Sequence, residues 1–198
     1  MNTTPTGLTR HGRADAQRNR QLLLDAALVA FAQHGIDASL EAIARNAGVG
    51  IGTLYRHFPT REALALAAYQ HDVERLCEAA DELLQTLAPD VALREWLAHF
   101  SGYINTKRGM SDVIRAVLTD PQPYYAGLNI RERMQSAVKT LLSHGTAAGV
   151  IRHDIDAEVV MLAMIGYWYA SAGQTKPHQA TRLLDLLIDG LRVGKQGS

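Results

Sequence analysis

The sequence predicts an all-α protein in which three short helices precede about six longer ones. Apolar residues recur every three or four positions along most of the 198-residue chain, as they do on one face of a helix. Glycine and proline interrupt this spacing, and no stretch alternates apolar and polar residues between hairpin turns. A chain of this length suits one large domain, or a small domain joined to a larger one.

The first 17 residues lack helical spacing. They are mostly polar, contain one proline and two glycines, and carry Arg10 and Arg13. We expect residues 1–17 to form a flexible basic arm.

The next segment predicts three short helices, which end at glycine or proline. They are expected over residues 18–34, 40–47 and 51–57. Ser39 is a suitable N-cap for the second helix, and Gly48 ends it. Together these helices make the first predicted domain, residues 18–62.

The remainder of the chain, residues 63–198, predicts a larger helical domain. Its helices are expected over residues 64–87, 91–106, 110–118, 125–148, 157–172 and 178–193. Prolines and glycines separate them. The long first helix of this set connects the two domains.

Composition excludes several classes of protein. No apolar run reaches the roughly 18 residues that a membrane-spanning helix needs. The N-terminus lacks the apolar core of a signal peptide, so we expect a cytoplasmic protein. The single cysteine, Cys77, excludes an intramolecular disulfide framework and a cysteine-rich zinc site, and its helical neighbours favour a core thiol.

Charge is unevenly distributed, although the formal net charge is zero. Residues 1–61 hold seven basic and four acidic side chains, whereas the rest of the chain holds thirteen basic and sixteen acidic ones. The basic N-terminal part favours a module that binds a polyanion, attached to an acidic body.

A glycine-rich stretch resembles a cofactor motif only superficially. Gly48, Gly50 and Gly52 have the spacing of a dinucleotide-binding loop, but such a loop follows a strand, and here a short helix precedes it. Tyr103 and Lys107 lie one helical turn apart, as in short-chain dehydrogenases, without the βαβ unit that such an enzyme requires.

One helical face carries three groups that bind metals in other proteins. His71, Glu74 and Glu78 share this face, but a solvated surface explains them more simply than a metal site. No nucleophile elbow of the Gly-x-Ser-x-Gly type is present. We therefore expect no catalytic residues, no metal and no cofactor.

The second and third short helices, joined by a tight glycine turn, fit a helix-turn-helix. Leu54 and Phe58, one turn apart, are expected to face inward. The outward positions of the third helix are then Ile51, Gly52, Thr53, Tyr55, Arg56 and His57. Their hydroxyl and N–H groups suit phosphate oxygens, and a glycine that weakens the helix by about 1 kcal/mol favours close approach to DNA. A plain glycine-rich helical corner is the alternative.

Residues 23–64, LLDAALVAFAQHGIDASLEAIARNAGVGIGTLYRHFPTREAL, closely resemble the N-terminal domain of TetR-family transcriptional regulators. The resemblance is carried by Ala26-Ala27, Phe31, Gly35, Ile43-Ala44, Ala47-Gly48-Val49, Gly52-Thr53-Leu54-Tyr55, His57-Phe58 and Glu62-Ala63-Leu64. The helical remainder resembles the family's effector-binding and dimerisation domain. Residues 93–118 resemble the subgroup with an SbtR-type C-terminal domain.

The resemblance implies a DNA-binding repressor that a small-molecule effector releases from a near-palindromic operator. It implies a homodimer whose two recognition helices enter successive major grooves. It also implies that base edges meet Ile51, Gly52 and Thr53, that Arg56 adds a base or phosphate contact, and that phosphates meet Tyr55, His57, Arg61 and the start of the second helix at Ser39 and Leu40. Arg18 and Arg20, with Arg10 and Arg13 of the arm, are expected to add phosphate or minor-groove contacts.

Two positions depart from the family's usual pattern. Arg61 stands where a lysine is usual, and an arginine there is expected to bind phosphate, even bidentately. Gly50 stands near the usual place of a serine or threonine, so no hydroxyl contact to DNA is expected there.

The last two predicted helices suggest how a dimer forms. They carry a face of small residues and an apolar stripe, formed by Ala163, Gly166, Ala170, Leu184, Ile188 and Leu191. Two such helix pairs would make a four-helix interface. Packing of the same stripes within one chain is the alternative.

Aromatic and methionine residues between the two ends are candidates to line an effector cavity. They are Trp96, Phe100, Tyr103, Met110, Ile114, Leu118, Met134, Met164 and Trp168. Their character favours a small, largely apolar or aromatic ligand, although any one of them is alternatively a core residue.

A different function is also compatible with these observations. The chain is alternatively a helical small-molecule-binding protein or enzyme that has lost DNA binding. The donors on the third helix and the basic first module favour the DNA-binding regulator, and a salt-dependent gel shift separates the two.

Overall fold

The computed structural model describes residues 10–109, 129–172 and 177–193, which contain eight α-helices. They are α1 (Arg10–His34), α2 (Leu40–Asn46), α3 (Ile51–His57), α4 (Arg61–Thr86), α5 (Pro89–Gly109), α6 (Ile130–Ala147), α7 (Ala157–Ala172) and α8 (Pro177–Leu191). In these ranges the sole β pairing is one antiparallel bridge, between Ile151 and Arg192. The all-α prediction is confirmed. None of the described helices combines the length and the apolar character needed to cross a bilayer.

The first helix begins earlier than the sequence indicated. α1 starts at Arg10, inside the segment expected to be an arm, and continues to His34. The alanines and charged residues over positions 13–17 have adequate helix propensity, so the chain joins the helix that follows. Residues 1–9 lie outside the described residues, as does the helix expected over residues 110–118.

The described residues form two compact units, and the boundary between them falls inside α4. The first unit contains residues 10–71 and residue 109, and the second contains residues 72–108, 129–172 and 177–193. The sequence-based division at residue 62 lies nearer the start of α4. The early turns of α4 belong with the first unit, and Leu64 and Ala68 on these turns are fully buried.

In the first unit, α1 packs against both α2 and α3. The fully buried side chains of these helices include Phe31, Ile43 and Leu54. Gly48 has a φ of +67°, a left-handed conformation that a side chain disfavours, and this lets the chain turn after α2. The N–H of Val49 then donates to the Ala44 carbonyl at 2.9 Å, which closes the turn.

In the second unit, a buried tryptophan joins α4 to α5. Trp96 is fully buried, and its Nε1 donates to the carbonyl of Leu76 at 2.7 Å. Its ring stacks near Phe100, with 6.2 Å between the ring centroids. The single polar group of the indole thus has a partner, so the ring is buried without leaving an unsatisfied donor.

The end of α6 lies against the loop that leads to α7. Ile151 in this loop is buried against Gly145 of α6, where an added Cβ would lie 2.3 Å from Cγ1 of Ile151. The next residue, Arg152, donates its N–H to the carbonyl of Leu191 at the end of α8, at 2.9 Å. The loop is therefore held from both sides, and the backbone of α6 approaches it closely because residue 145 has no side chain.

Substitution of Gly145 by alanine should destabilise the protein. The new methyl group would overlap Ile151, which is held by the bridge to the residues after α8. We expect the free energy of unfolding, measured by urea denaturation, to fall by about 1–3 kcal/mol, as for overpacking of a core.

Gly190→Ala is the matched control. Gly190 lies in α8, and an added Cβ there would meet nothing within 4 Å. This variant should be as stable as the unaltered protein or more stable by up to about 1 kcal/mol. Equal effects of the two substitutions would contradict the proposed close contact.

Candidate nucleic-acid interface

The third helix turns its apolar residues inward and its polar residues outward. Leu54 and Phe58, four positions apart, are buried in the first unit, as predicted. On the opposite side, Tyr55 is 46% exposed and Ile51 is 38% exposed. Gly52 is also exposed, and an added Cβ there would meet nothing within 4 Å. The protein interior therefore does not require a glycine at this position.

Three other predicted residues of α3 differ in how far they project. The exposed Arg56 donates from Nε to the Gly52 carbonyl at 3.2 Å, which lays its side chain along the helix. His57 is half-buried, with its ring centroid 6.1 Å from that of Phe58. Thr53 is half-buried as well. The exposed polar side chains of α3 are therefore those of Tyr55 and Arg56.

The start of α2 is capped by Ser39, which confirms that prediction. The Ser39 Oγ accepts the N–H of Ala42 at 3.2 Å and donates to Oε2 of Glu41 at 2.9 Å. The pKa of Glu41 is held below its ordinary value, first by a hydrogen bond from its own backbone N–H and then by the Ser39 hydroxyl. The side chain of Leu40 is buried, so a phosphate would contact only its backbone.

Arg61, which was expected to bind phosphate, donates hydrogen bonds to backbone carbonyls of its own unit. It is half-buried, and its Nη1 donates to the carbonyl of Ile36 at 2.7 Å and to that of Ala38. Both carbonyls belong to the connection between α1 and α2. Sequence reasoning missed this role because the acceptors are backbone atoms, which residue types do not reveal.

Two arginines of α1 lie on the same unit. Arg18 and Arg20 are both exposed, as phosphate contacts need to be. The guanidinium carbon of Arg20 lies 5.4 Å from the ring centroid of Phe58, within the range of a cation–π contact. This contact holds one cationic group beside α3.

Two domain families have sequence models that match the chain. The family described as bacterial regulatory proteins, tetR family, matches residues 23–68, and the family described as transcriptional regulator SbtR-like, C-terminal domain, matches residues 88–193. The chain belongs to the TetR family of transcriptional regulators. Its second unit is of the SbtR-like type, as the sequence resemblance indicated.

Whole-chain similarities agree with this assignment. A TetR transcriptional regulator of Streptomyces coelicolor, known from its crystal structure, is 46% identical, with 88% of this chain and 99% of that chain covered and a TM-score of 0.80. A TetR regulatory protein of Mycobacterium vanbaalenii is 30% identical, with 91% and 99% covered and a TM-score of 0.74. The transcriptional repressor AcnR of Corynebacterium efficiens is 23% identical over 184 residues, 88% of this chain and 93% of that protein.

The predicted effector residues of this TetR-family regulator are buried wherever the structure describes them. Those with described side chains are Trp96, Phe100, Tyr103, Met134 and Met164. Met110, Ile114 and Leu118 lie outside the described residues, as does the side chain of Trp168. The described members form packed interior, and one of them, Tyr103, also borders a groove.

This groove has a volume of about 380 Å³ and lies between α4 and α5. It is lined by Asp72, Arg75, Leu76, Glu78, Ala79, Glu82, His99, Gly102 and Tyr103. Its rim is charged and its floor is apolar, whereas the residues predicted to line an effector cavity are mainly aromatic and methionine side chains. The charged rim was missed because acids on a helix ordinarily form a solvated face.

The face of α4 considered as a metal site has other contacts. His71 lies against Asp25 of α1, with 3.3 Å between Nε2 and Oδ1, and Glu74 lies 3.5 Å from Nη1 of Arg133. In the parts of the chain that the structure describes, no group of three His, Cys, Asp or Glu side chains is placed to hold a metal ion. Nearby Cys77 is half-buried, and burial raises the pKa of its thiol.

The residues expected at a dimer interface fall into two sets. Ala163 and Gly166 of α7 are exposed, whereas Leu184, Ile188 and Leu191 of α8 are buried within their own unit. The side chain of Ala170 lies outside the described residues. Since Ile188 is only 1% exposed, a partner subunit would gain little by covering it.

A different apolar surface is exposed on α7 and α8. Val159 and Leu162 lie beside Ala163 and Gly166 on one face of α7, and Leu183 and Leu186 are exposed on α8. We call these six residues the α7–α8 apolar face. Two apolar stripes run along α8, and the sequence alone did not show which of them the monomer buries.

Removal of the cap at Ser39 should weaken α2 and change the titration of Glu41. Loss of an N-cap serine lowers the free energy of unfolding by about 1 kcal/mol. In Ser39→Ala, the pKa of Glu41, followed by NMR titration, should rise toward its ordinary value. It should stay below that value, because the backbone hydrogen bond remains. The Ser39–Glu41 contribution is present above the ordinary pKa and lost as pH falls through the lowered one.

Ser143→Ala is the control for this prediction. The exposed Ser143 donates from Oγ to the Lys139 carbonyl within α6 and caps no helix. Its loss should leave both the stability and the pKa of Glu41 unchanged. A Glu41 pKa that does not move in Ser39→Ala would contradict the role given to the Ser39 hydroxyl.

Proposed function

We propose that this protein is a repressor that binds a near-palindromic operator as a homodimer and leaves it when a small ligand binds the second unit. The observation that carries the proposal is the outward face of α3, where Ile51, Gly52 and Tyr55 are exposed while Leu54 and Phe58 hold the helix from behind. Similarity to a protein named as a transcriptional repressor supports repression.

The N-terminal half of α3 is assigned to base reading. Ile51, Gly52 and Thr53 lie on its first turn, the part of a recognition helix that reaches base edges. Alanine at position 52 would fit the free protein and would favour the helix, so the glycine is explained by close approach of DNA.

Phosphate contacts are assigned to the groups around α3. They are Tyr55, Arg56 and His57, together with Arg18, Arg20 and the backbone at Ser39 and Leu40. Such contacts set the register of the protein on the duplex, and their number sets the salt dependence of binding.

The ligand site is assigned to the second unit, with the groove between α4 and α5 as its described part. The floor contains Leu76, Ala79 and Tyr103, and the rim is charged. These surroundings suit a small molecule with an aromatic or aliphatic body and a polar end. A coupling of about 1–3 kcal/mol would weaken operator binding about 5–150-fold.

The proposal also concerns where in the cell the protein acts and whether it needs catalytic residues or a cofactor. A regulator that binds chromosomal DNA acts in the cytoplasm of a bacterial cell, and binding and release of an operator need no catalytic residue and no cofactor. We accordingly assign none.

The proposal is tested by selecting operators from a random duplex pool and measuring affinity at several salt concentrations. The protein should enrich a near-palindromic sequence, with affinity falling steeply as salt rises. Gly52→Ala should be more stable by up to about 1 kcal/mol yet bind the selected operator about tenfold more weakly. The added methyl group would collide with the DNA in the major groove.

Gly102→Ala, which adds the same methyl group to α5 of the second unit, serves as the control and should bind the operator, measured without ligand, as the unaltered protein does. Unchanged affinity of Gly52→Ala would contradict the close approach. If no duplex is enriched at any salt concentration, the protein is instead a helical small-molecule-binding protein or enzyme.

The dimer is proposed to form through the α7–α8 apolar face. Leu186, which is 69% exposed, is its most exposed leucine. Leu186→Glu should shift the protein from dimer to monomer in light scattering and weaken operator binding, because a buried charge without a partner is costly.

Val91→Glu is the control, since Val91 is an exposed apolar residue of α5 outside this face. It should remain a dimer. A concentration-independent monomer mass for the unaltered protein would overturn the dimer itself.

A further inference from the structure

Arg61 joins two parts of the first unit that are distant in sequence. It is the first residue of α4, and the carbonyls it contacts, those of Ile36 and Ala38, lie in the connection before α2. A single nitrogen, Nη1, donates to both. Both of its hydrogens are therefore directed at the protein.

These two carbonyls need a donor from outside their own segment. The connection is a short 3-10 turn, Gly35–Asp37, and its turn bond runs from the N–H of Ala38 to the Gly35 carbonyl at 3.3 Å. Ala38 is buried and Ile36 is half-buried, so neither residue is fully open to water. A carbonyl buried without a donor is costly, and Arg61 supplies the donor to both.

The same contact fixes where α2 begins. Ser39, its N-cap, follows Ala38 directly, and the N–H groups of Ala42 and Ile43 bond to Ser39 through Oγ and the backbone carbonyl. A shift of Ala38 would therefore move the whole first turn of α2. In the proposed complex, that turn meets a phosphate.

We infer that Arg61 is a positioning residue of the DNA interface, which ties the start of α2 to the first turn of α4 and does not itself grip phosphate. This role rests on the proposed function. Because α4 is one helix from Arg61 to Thr86, a displacement of its first turn must carry the start of α2 with it or break these hydrogen bonds. Arg61 thus makes α2 follow α4.

The test combines hydrogen exchange in the free protein with operator binding by two variants, Arg61→Met and Arg61→Lys. Arg61→Met removes the charge and the donors. If Arg61 positions α2, the amides of Ala38, Ala42 and Ile43 should exchange about tenfold faster or more in this variant. The exchange of the Leu54 amide in α3 should not change.

Operator affinity of Arg61→Met is measured well below its thermal midpoint, where the protein is folded. It should fall by about tenfold. If Arg61 only stabilised the fold, protein that is folded at this temperature would bind the operator with unchanged affinity. The slope of log affinity against log salt should match that of the unaltered protein. A phosphate-gripping arginine would lower this slope by about 1, and that result overturns the inference.

Arg61→Lys keeps the charge and gives a decisive result even if Arg61→Met does not fold. Its shorter side chain should hold the two carbonyls less well, so the exchange of Ala38 and Ala42 should rise by less than in Arg61→Met, and affinity should be partly restored. Exchange identical to that of the unaltered protein would overturn the inference.

Arg45→Met is the matched control. Arg45 is an exposed arginine on α2, and its loss removes the same charge from the same unit. Exchange at Ala38 should not change in this variant. Since exchange is measured without DNA, its outcome is independent of whether an operator is found. Failure of the proposed function and failure of the positioning role are therefore distinguishable.

Discussion

The DNA-binding unit depends on the packing of two very short helices against a long one. α2 and α3 have seven residues each, and isolated helices shorter than about 12–15 residues are marginal in water. They persist because Ile43 and Leu54 are buried with Phe31 of α1. Their inner faces are thereby committed to stability. Their outer faces, where Gly52 and Tyr55 are exposed, are the surface proposed for recognition.

The start of α2 concentrates the polar interactions of this unit. Ser39 caps the helix, its hydroxyl donates to Glu41, and Arg61 satisfies the two backbone carbonyls just before it. These contacts connect three segments, the end of α1, the first turn of α2 and the first turn of α4. The start of α2 is thus held by hydrogen bonds between segments as well as by apolar burial.

The second unit separates its apolar residues from its charged ones. Trp96 and its aromatic neighbours fill the interior, with the indole N–H satisfied by Leu76. The groove beside them has a charged rim, contributed mainly by α4. On α8, one apolar stripe is buried and another, containing Leu186, is exposed. An apolar residue in this unit therefore cannot be assigned to core, ligand site or subunit contact from its type alone.

The sequence by itself determined the all-α class, the cap at Ser39 and the inward pair Leu54 and Phe58, because each depends on residues within about one helical turn of one another. The family resemblance was likewise carried mainly by one continuous segment, residues 23–64. Only the tertiary structure decided which stripe of α8 is buried and what Arg61 contacts. The contacts of Arg61 depend on carbonyls 25 and 23 positions earlier in the chain. Every residue type has a backbone carbonyl, so the sequence does not indicate which carbonyl accepts a hydrogen bond.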